Sequence, residues 1–198
     1  MPKIVDPETR RTAVADALFR LAAREGLHRV SLRTVAAEAG LNVGSVRHYF
    51  ENQAELMRFA MRSMIDRVSA RLEQRVEALG DPSRLPPPER RTAATELLCE
   101  LLPLDDIRRA ETTVFLEFVT AARTDPSLAD LAAEAAAGTR ALARRVVQPS
   151  EVEDLELEVR RLTALLDGLS FDGVLHPDSL SPTQAAAVVR AHLDELWS

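Results

Sequence analysis

Cys99 is the single cysteine in 198 residues, which excludes a disulfide framework and a cysteine-rich zinc site. Aromatic residues are also scarce, at 4% against 46% hydrophobic. The apolar mass is therefore alanine, leucine and valine, a composition that favours helices over a β-sandwich. No strand-like alternation of useful length and no internal repeat is present. The opening Met-Pro-Lys-Ile-Val-Asp-Pro lacks the apolar stretch of a secretory leader. No apolar run approaches the ~20 residues that span a bilayer. A cytoplasmic chain without a membrane partner is the expectation. Catalytic signatures are missing as well: no G-x-S-x-G, no H-E-x-x-H, no phosphate-binding loop and no paired cysteines. His28, His48, His176 and His192 are scattered without metal-ligand spacing. The expectation is a protein that is not an enzyme, with no catalytic residue, metal or cofactor.

The charge that is present is unevenly placed. The formal net charge is −6, yet residues 1–75 hold 13 basic and 9 acidic side chains, and residues 76–198 hold 12 and 22. A basic head on an acidic body is the pattern of a chain whose head alone approaches a polyanion.

Helix punctuation organises the rest. Asp6 followed by Pro7 opens a helix with Val14, Ala17, Leu18 and Leu21 along one side, and Gly26 closes it. Ser31 caps a second helix bearing Leu32, Val35, Ala36 and Ala39, which Gly40 stops. Asn42 caps a short third helix, Val43 to Tyr49. Asn52 and Glu55 form a cap pair that opens a long fourth helix, roughly 53–79, ended by Gly80-Asp81-Pro82. Leu85-Pro86-Pro87-Pro88 reads as a stiff connector. Further helices are predicted at about 89–102, 104–124, 127–147, 151–175 and 182–197, with Pro103, Pro126, Pro149 and Pro182 at their starts. The chain is expected to be all-α, with residues 1–52 as a three-helix head and 53–198 as a second helical domain.

Residues 31–50, SLRTVAAEAGLNVGSVRHYF, carry the most specific signal. Two short helices meet at a turn of Gly40, Leu41 and Asn42, with Val46 and Phe50 directed inward. Small Ala36 and Ala39 allow close packing. The outward residues of the third helix are Val43, Gly44, Ser45, Arg47 and His48, a small, polar and basic set that suits a major groove. Arg47 is its only long basic donor and matches the O6 and N7 edge of guanine. An αα-corner within a plain helical bundle is the competing interpretation.

The order Ser31, Val35, Ala36, Ala39, Gly40, Leu41, Asn42, Gly44, Val46, Tyr49, Phe50, Asn52, Glu55 and Leu56 resembles the DNA-binding head of the TetR family of transcriptional regulators. The resemblance spans residues 10–62. Leu166-Asp167-Gly168-Leu169, the stretch through Leu175, Pro177, Leu180, Ser181 and Pro182, and Arg190-Ala191-His192-Leu193 are loosely similar to betaine-regulator-like members. The resemblance implies a helix-turn-helix head that binds double-stranded DNA and a body for effector binding and dimerisation. Repression is the family default. Carried over by position, Ser31, Thr34, Ser45, Tyr49 and Gln53 would touch phosphate or sugar, and Arg33, Val43, Gly44, Arg47 and His48 would face base edges. Ser31 serves equally well as a cap alone, and Tyr49 as a core residue. The family usually has tyrosine at Arg47 and lysine at Gln53. The uncharged Gln53 implies weaker and less salt-dependent backbone binding.

One small head offers too little surface for a specific site, so a homodimer on a palindromic operator is expected, with half-sites about 34–36 Å apart or a multiple of that. The last two helices are the candidate interface. Leu162, Leu166, Leu169 and Gly173 lie on one, and Val189 and Leu193 on the other, in stripes broad enough for an intersubunit four-helix bundle. The competing role for these stripes is the protomer's own core. A small-molecule effector is placed among helices four to seven, with Met57, Met61, Met64, Phe115 and Phe118 as an adaptable wall. The same residues also read as core. At ~100° per residue Glu111 falls within the apolar face of its helix. It either lines a cavity for a cationic or hydrogen-bond-donating effector, or pairs with an arginine such as Arg62 or Arg140. Glu117, at the edge of that stripe, is expected in solvent.

Overall fold

A computed structural model gives the protein's fold and describes residues 6–81, 84–150 and 152–197. Met1–Val5, Pro82 and the expected helix start at 151 lie outside them. Nine α-helices and no strand are formed among the described residues: α1 (Pro7–Glu25), α2 (Leu32–Glu38), α3 (Val43–Tyr49), α4 (Gln53–Leu79), α5 (Pro87–Cys99), α6 (Asp106–Ala121), α7 (Ala129–Val147), α8 (Leu155–Leu175) and α9 (Pro182–Leu196). The all-α expectation holds.

Caps set most boundaries. Asp6 accepts the Thr9 N–H, Asn42 the Ser45 N–H at 2.7 Å, Asp154 the Leu157 N–H and Ser181 the Gln184 N–H. Gly40 adopts φ +66, a left-handed turn that lets α2 and α3 reverse within three residues. Several boundaries depart from the sequence pattern, among them the ends of α5 at Cys99 rather than 102 and of α6 at Ala121 rather than 124, and the start of α8 at Leu155 rather than 151. Pro87 and Pro88 belong to the first turn of α5, where proline costs no helical hydrogen bond. Helix α6 begins at Asp106 rather than 104, because the Asp105 carboxylate accepts the Arg108 N–H at 2.8 Å and fixes the start. Likewise α7 begins after a 3-10 turn, Pro126–Leu128.

The chain folds into two compact units. The first comprises residues up to Arg67 together with Thr113–Ala132. The second comprises Val68–Thr112 and the chain from Ala133 onward. These units cut across the division at 52/53. Helices α4, α6 and α7 each contribute one segment to each unit.

In the first unit α1, α2 and α3 pack around Val14, Leu18, Val35, Val46 and Phe50, all shielded from water. Leu56, Met61, Phe118 and Leu131 extend this core. In the second unit α5 and α8 pack on α9, and Leu98, Leu102, Val147, Leu162, Leu166 and Leu193 fill the interior.

Candidate nucleic-acid interface and effector region

The head's recognition surface is built by α2, its turn and α3. Ser31 and Thr34 cap α2 reciprocally: the Ser31 hydroxyl accepts the Thr34 N–H at 3.1 Å, and the Thr34 hydroxyl accepts the Ser31 N–H at 2.9 Å. Thr34 also donates to the Arg29 carbonyl at 2.8 Å. Ser45 donates its hydroxyl to the Asn42 carboxamide at 3.1 Å. All three hydroxyls therefore hold the helix starts. Val43 is half-buried against the core, so its side chain is not fully outward as the sequence pattern implied. Gly44 is exposed.

Arg33, Arg47, His48 and Gln53 are exposed. Arg33 and Arg47 form no ion pair or hydrogen bond with any described residue. By contrast, Arg20 and Arg24 on α1 both pair with Glu38, at 3.1 and 2.9 Å. Hydrogen bonding to Glu38 holds the Arg24 guanidinium above its usual range, and the same bonds hold Glu38 below the usual carboxylate range. Two arginines of α1 are thus paired, whereas Arg33 and Arg47 have no partner among the described residues. Tyr49 is half-buried, with its ring edge-on to His48 at 5.2 Å. The Asn52 carboxamide accepts the Glu55 N–H at 2.9 Å, and Glu55 in turn accepts the Glu51 N–H, which sets Gln53 at the first turn of α4.

Arg11 braces α3 from behind. Its guanidinium lies 5.0 Å from the centre of the Phe50 ring and 4.5 Å from that of Phe59, and Phe50 closes α3. The sequence carried no signal for this contact.

The six expected effector residues are divided between the two units. Met57, Met61, Met64 and Phe118 are buried in the core of the first unit, and Phe115 packs against it. Glu111 belongs to the second unit. The methionine and phenylalanine stripe at helical spacing packs within the apolar core of the first unit.

Glu111 has an arginine partner, and it is neither Arg62 nor Arg140. Arg71 on α4 donates both terminal nitrogens to it, at 3.3 and 2.9 Å. That hydrogen bonding raises the Arg71 guanidinium above its usual range. The more deeply placed carboxylate is one the sequence reading overlooked. Glu100, at the end of α5, is 5% exposed and lies 3.0 Å from Arg71 Nε and 2.7 Å from Arg75 Nη2. The Arg71 Nε contact is off the N–H axis, so it acts as charge pairing without a hydrogen bond. Arg108, which also donates to the Cys99 carbonyl, completes the ring of cations at 3.9 Å. A carboxylate removed from water this far is held only because guanidinium groups surround it.

The six expected interface residues lie in the second unit. Leu162, Leu166, Leu169, Gly173, Val189 and Leu193 are all buried within the single chain. Leu162, Leu166, Leu169, Val189 and Leu193 belong to the apolar core of the second unit, where α9 packs against both α5 and α8. Gly173 is close-packed on Pro103: a Cβ there would lie 2.7 Å from the ring. The apolar surface that these helices leave open is a different one, with Leu157 and Phe171 about half exposed, Leu175 and Val188 also exposed, and open space over Gly168.

Residues 14–58 match the family described as bacterial regulatory proteins, tetR family, and residues 86–198 match the BetI-type transcriptional repressor C-terminal family. The chain is 30% identical over 200 residues to the HTH-type transcriptional regulator PksA of Bacillus subtilis (strain 168), covering 99% of this chain and 94% of PksA. A transcriptional regulator from Rhodococcus sp. Rha1 shares the fold with a TM-score of 0.82 and 30% identity, over 97% of this chain and 96% of that one. The multidrug binding protein EbrR complexed with malachite green superposes with a TM-score of 0.70 and 28% identity, over 96% and 98%. A helix-turn-helix with unpaired arginines on its outer face, joined to a BetI-type C-terminal region, places this chain in the TetR family of DNA-binding transcriptional regulators.

Proposed function

We propose that this protein is a cytoplasmic repressor that binds a palindromic operator as a homodimer and leaves it when a small molecule binds the C-terminal body. The observation that carries the DNA reading is the exposure of Arg33 and Arg47, without partners, beside a third helix whose start is fixed by Asn42. In this reading Arg47 and His48 face base edges, and Arg33 faces bases from the start of α2. Ser31, Thr34, Ser45, Tyr49 and Gln53 lie along the phosphates. Selection of bound sequences from a random duplex pool tests it: a two-fold symmetric site is expected, and recovery of no preferred sequence would refute it.

The dimer contact in this proposal is the exposed face of α8 and α9, formed by Leu157, Gly168, Phe171, Leu175 and Val188. Large apolar side chains left half in water favour burial against a second copy.

The effector in this proposal is a cation or a strong hydrogen-bond donor. The chemistry of Glu100 and Glu111 supports it, because two carboxylates now satisfied by Arg71 and Arg75 would accept another cation in their place. Such a ligand favours one conformation of α4 over another, and shifts DNA binding only by its difference in affinity for the two. Titration of operator-bound protein with organic amines and their neutral analogues is the test. Release by the amines alone is expected. A complex unchanged or tightened by every amine would refute induction by release.

A further inference from the structure

We infer that Glu117, in the second half of α6, is a positioning residue for DNA reading: its carboxylate accepts the backbone N–H of Leu27 and so fixes the turn from which α2 starts. The inference rests on DNA binding, which family membership establishes, and needs neither the effector nor the dimer.

The turn is short and closely determined. Gly26 ends α1 at φ +85, a conformation that costs an ordinary residue strain. The 3-10 turn Leu27–Arg29 follows, closed by bonds from Arg29 N–H to the Gly26 carbonyl and from Val30 N–H to the Leu27 carbonyl. The Leu27 N–H is the first donor of that turn, and a first donor finds no acceptor within its own helix. Glu117 supplies one from 90 residues away. An ionised acceptor makes such a bond roughly twice as strong as a neutral one. The backbone is fitted around this carboxylate, since a Cβ on Gly26 would lie 3.3 Å from Glu117 Oε1 and 2.8 Å from the His28 ring.

A chain of contacts leads from this bond to the recognition surface. The Arg29 carbonyl accepts the Thr34 hydroxyl, and Thr34 caps α2 with Ser31. Arg33 stands between these two capping residues. The turn after α2 is tied back by a bond from Leu41 N–H to the Ala36 carbonyl at 2.8 Å, and α3 follows at once. A displacement of Leu27 is therefore a displacement of the surface that carries Arg33 and Arg47. Glu117 is half-buried in the same compact unit as these residues, not in solvent as its sequence position suggested.

The test uses the full-length protein, the strongest duplex that the wild type recovers from a random pool, and the variants E117L and E117Q. E117L is expected to bind that duplex about tenfold more weakly, the effect of one charge-assisted hydrogen bond. E117Q keeps a neutral acceptor and is expected to lose about threefold. Amide exchange at Leu27 is expected to be about tenfold faster in E117L, a local readout that a general loss of stability does not produce alone. Wild-type exchange at Leu27 in E117L, or undiminished operator affinity, overturns the inference. Should E117L fail to fold, E117Q decides: an upfield shift of the Leu27 amide proton together with weaker operator binding supports the role, and an unmoved resonance or unchanged affinity sinks it.

Discussion

At the residue scale, Arg47 is the long cation that α3 holds into solvent, and its neighbours are too short to replace it. Arg47→Ala is expected to cost about 1–3 kcal/mol of specific binding and to relax preference at one base position. Affinities for operators altered one base pair at a time check this, and a uniform loss at every position would assign Arg47 to a phosphate. Asp130 makes a separate prediction about stability. Arg58 grips it through both carboxylate oxygens, at 2.6 and 2.5 Å, and holds its pKa at about 2 against an ordinary 3.8. A carboxyl whose folded pKa is depressed stabilises the fold above its unfolded pKa, and the contribution fades as pH falls through the folded value. The difference in urea midpoint between wild type and Asp130→Asn should accordingly be full at pH 6 and shrink between pH 3.8 and about 2. A difference that does not vary with pH would show that the pair adds nothing.

At the element scale, what could be read in the sequence was what is local. Asp6, Ser31, Asn42 and Ser181 each cap the helix that follows, because a short polar side chain before an apolar stripe has few better uses. The helix-turn-helix was legible for the same reason, its instructions lying within twenty residues. Boundaries failed where two signals compete, as at Pro87, which reads equally as connector or as first helical turn. The partner of Glu111 was illegible, since a helical face shows that a carboxylate is enclosed but not which distant helix encloses it. Glu100 left no mark either: it follows Cys99 at a helix end, where exposure is the usual outcome. Close packing between elements gives a further prediction. Gly173→Ala places a methyl 2.7 Å from the Pro103 ring, which cannot rotate away. A loss of about 1–3 kcal/mol is expected from this overpacking, measurable by chemical denaturation. Wild-type stability in the variant would mean that α8 moves freely at this contact.

At the scale of the whole molecule, the apolar stripes of α8 and α9 were correctly recognised as broad, but their allocation between core and surface was not recoverable from periodicity. A helix buried on one side and docked on another is apolar around much of its girth, and one period describes both faces. Burial separates them, and the separation is testable. Leu166→Ala removes part of the protomer's own core and should cost about 2–5 kcal/mol of stability. Phe171→Glu alters a half-exposed side chain and should leave the fold intact while yielding a monomer in sedimentation. A dimeric Phe171→Glu protein would place the contact elsewhere. The DNA-reading unit, finally, is discontinuous: its first stretch ends at Arg67, and its last begins at Thr113 and ends at Ala132. A ribosome that has released only the first stretch has delivered a head without Glu117 or Asp130, and the carboxylates that brace it arrive only with the second half of the message. If Glu117 positions the reading surface as inferred above, a nascent chain completes its grip on DNA only once most of it has been made.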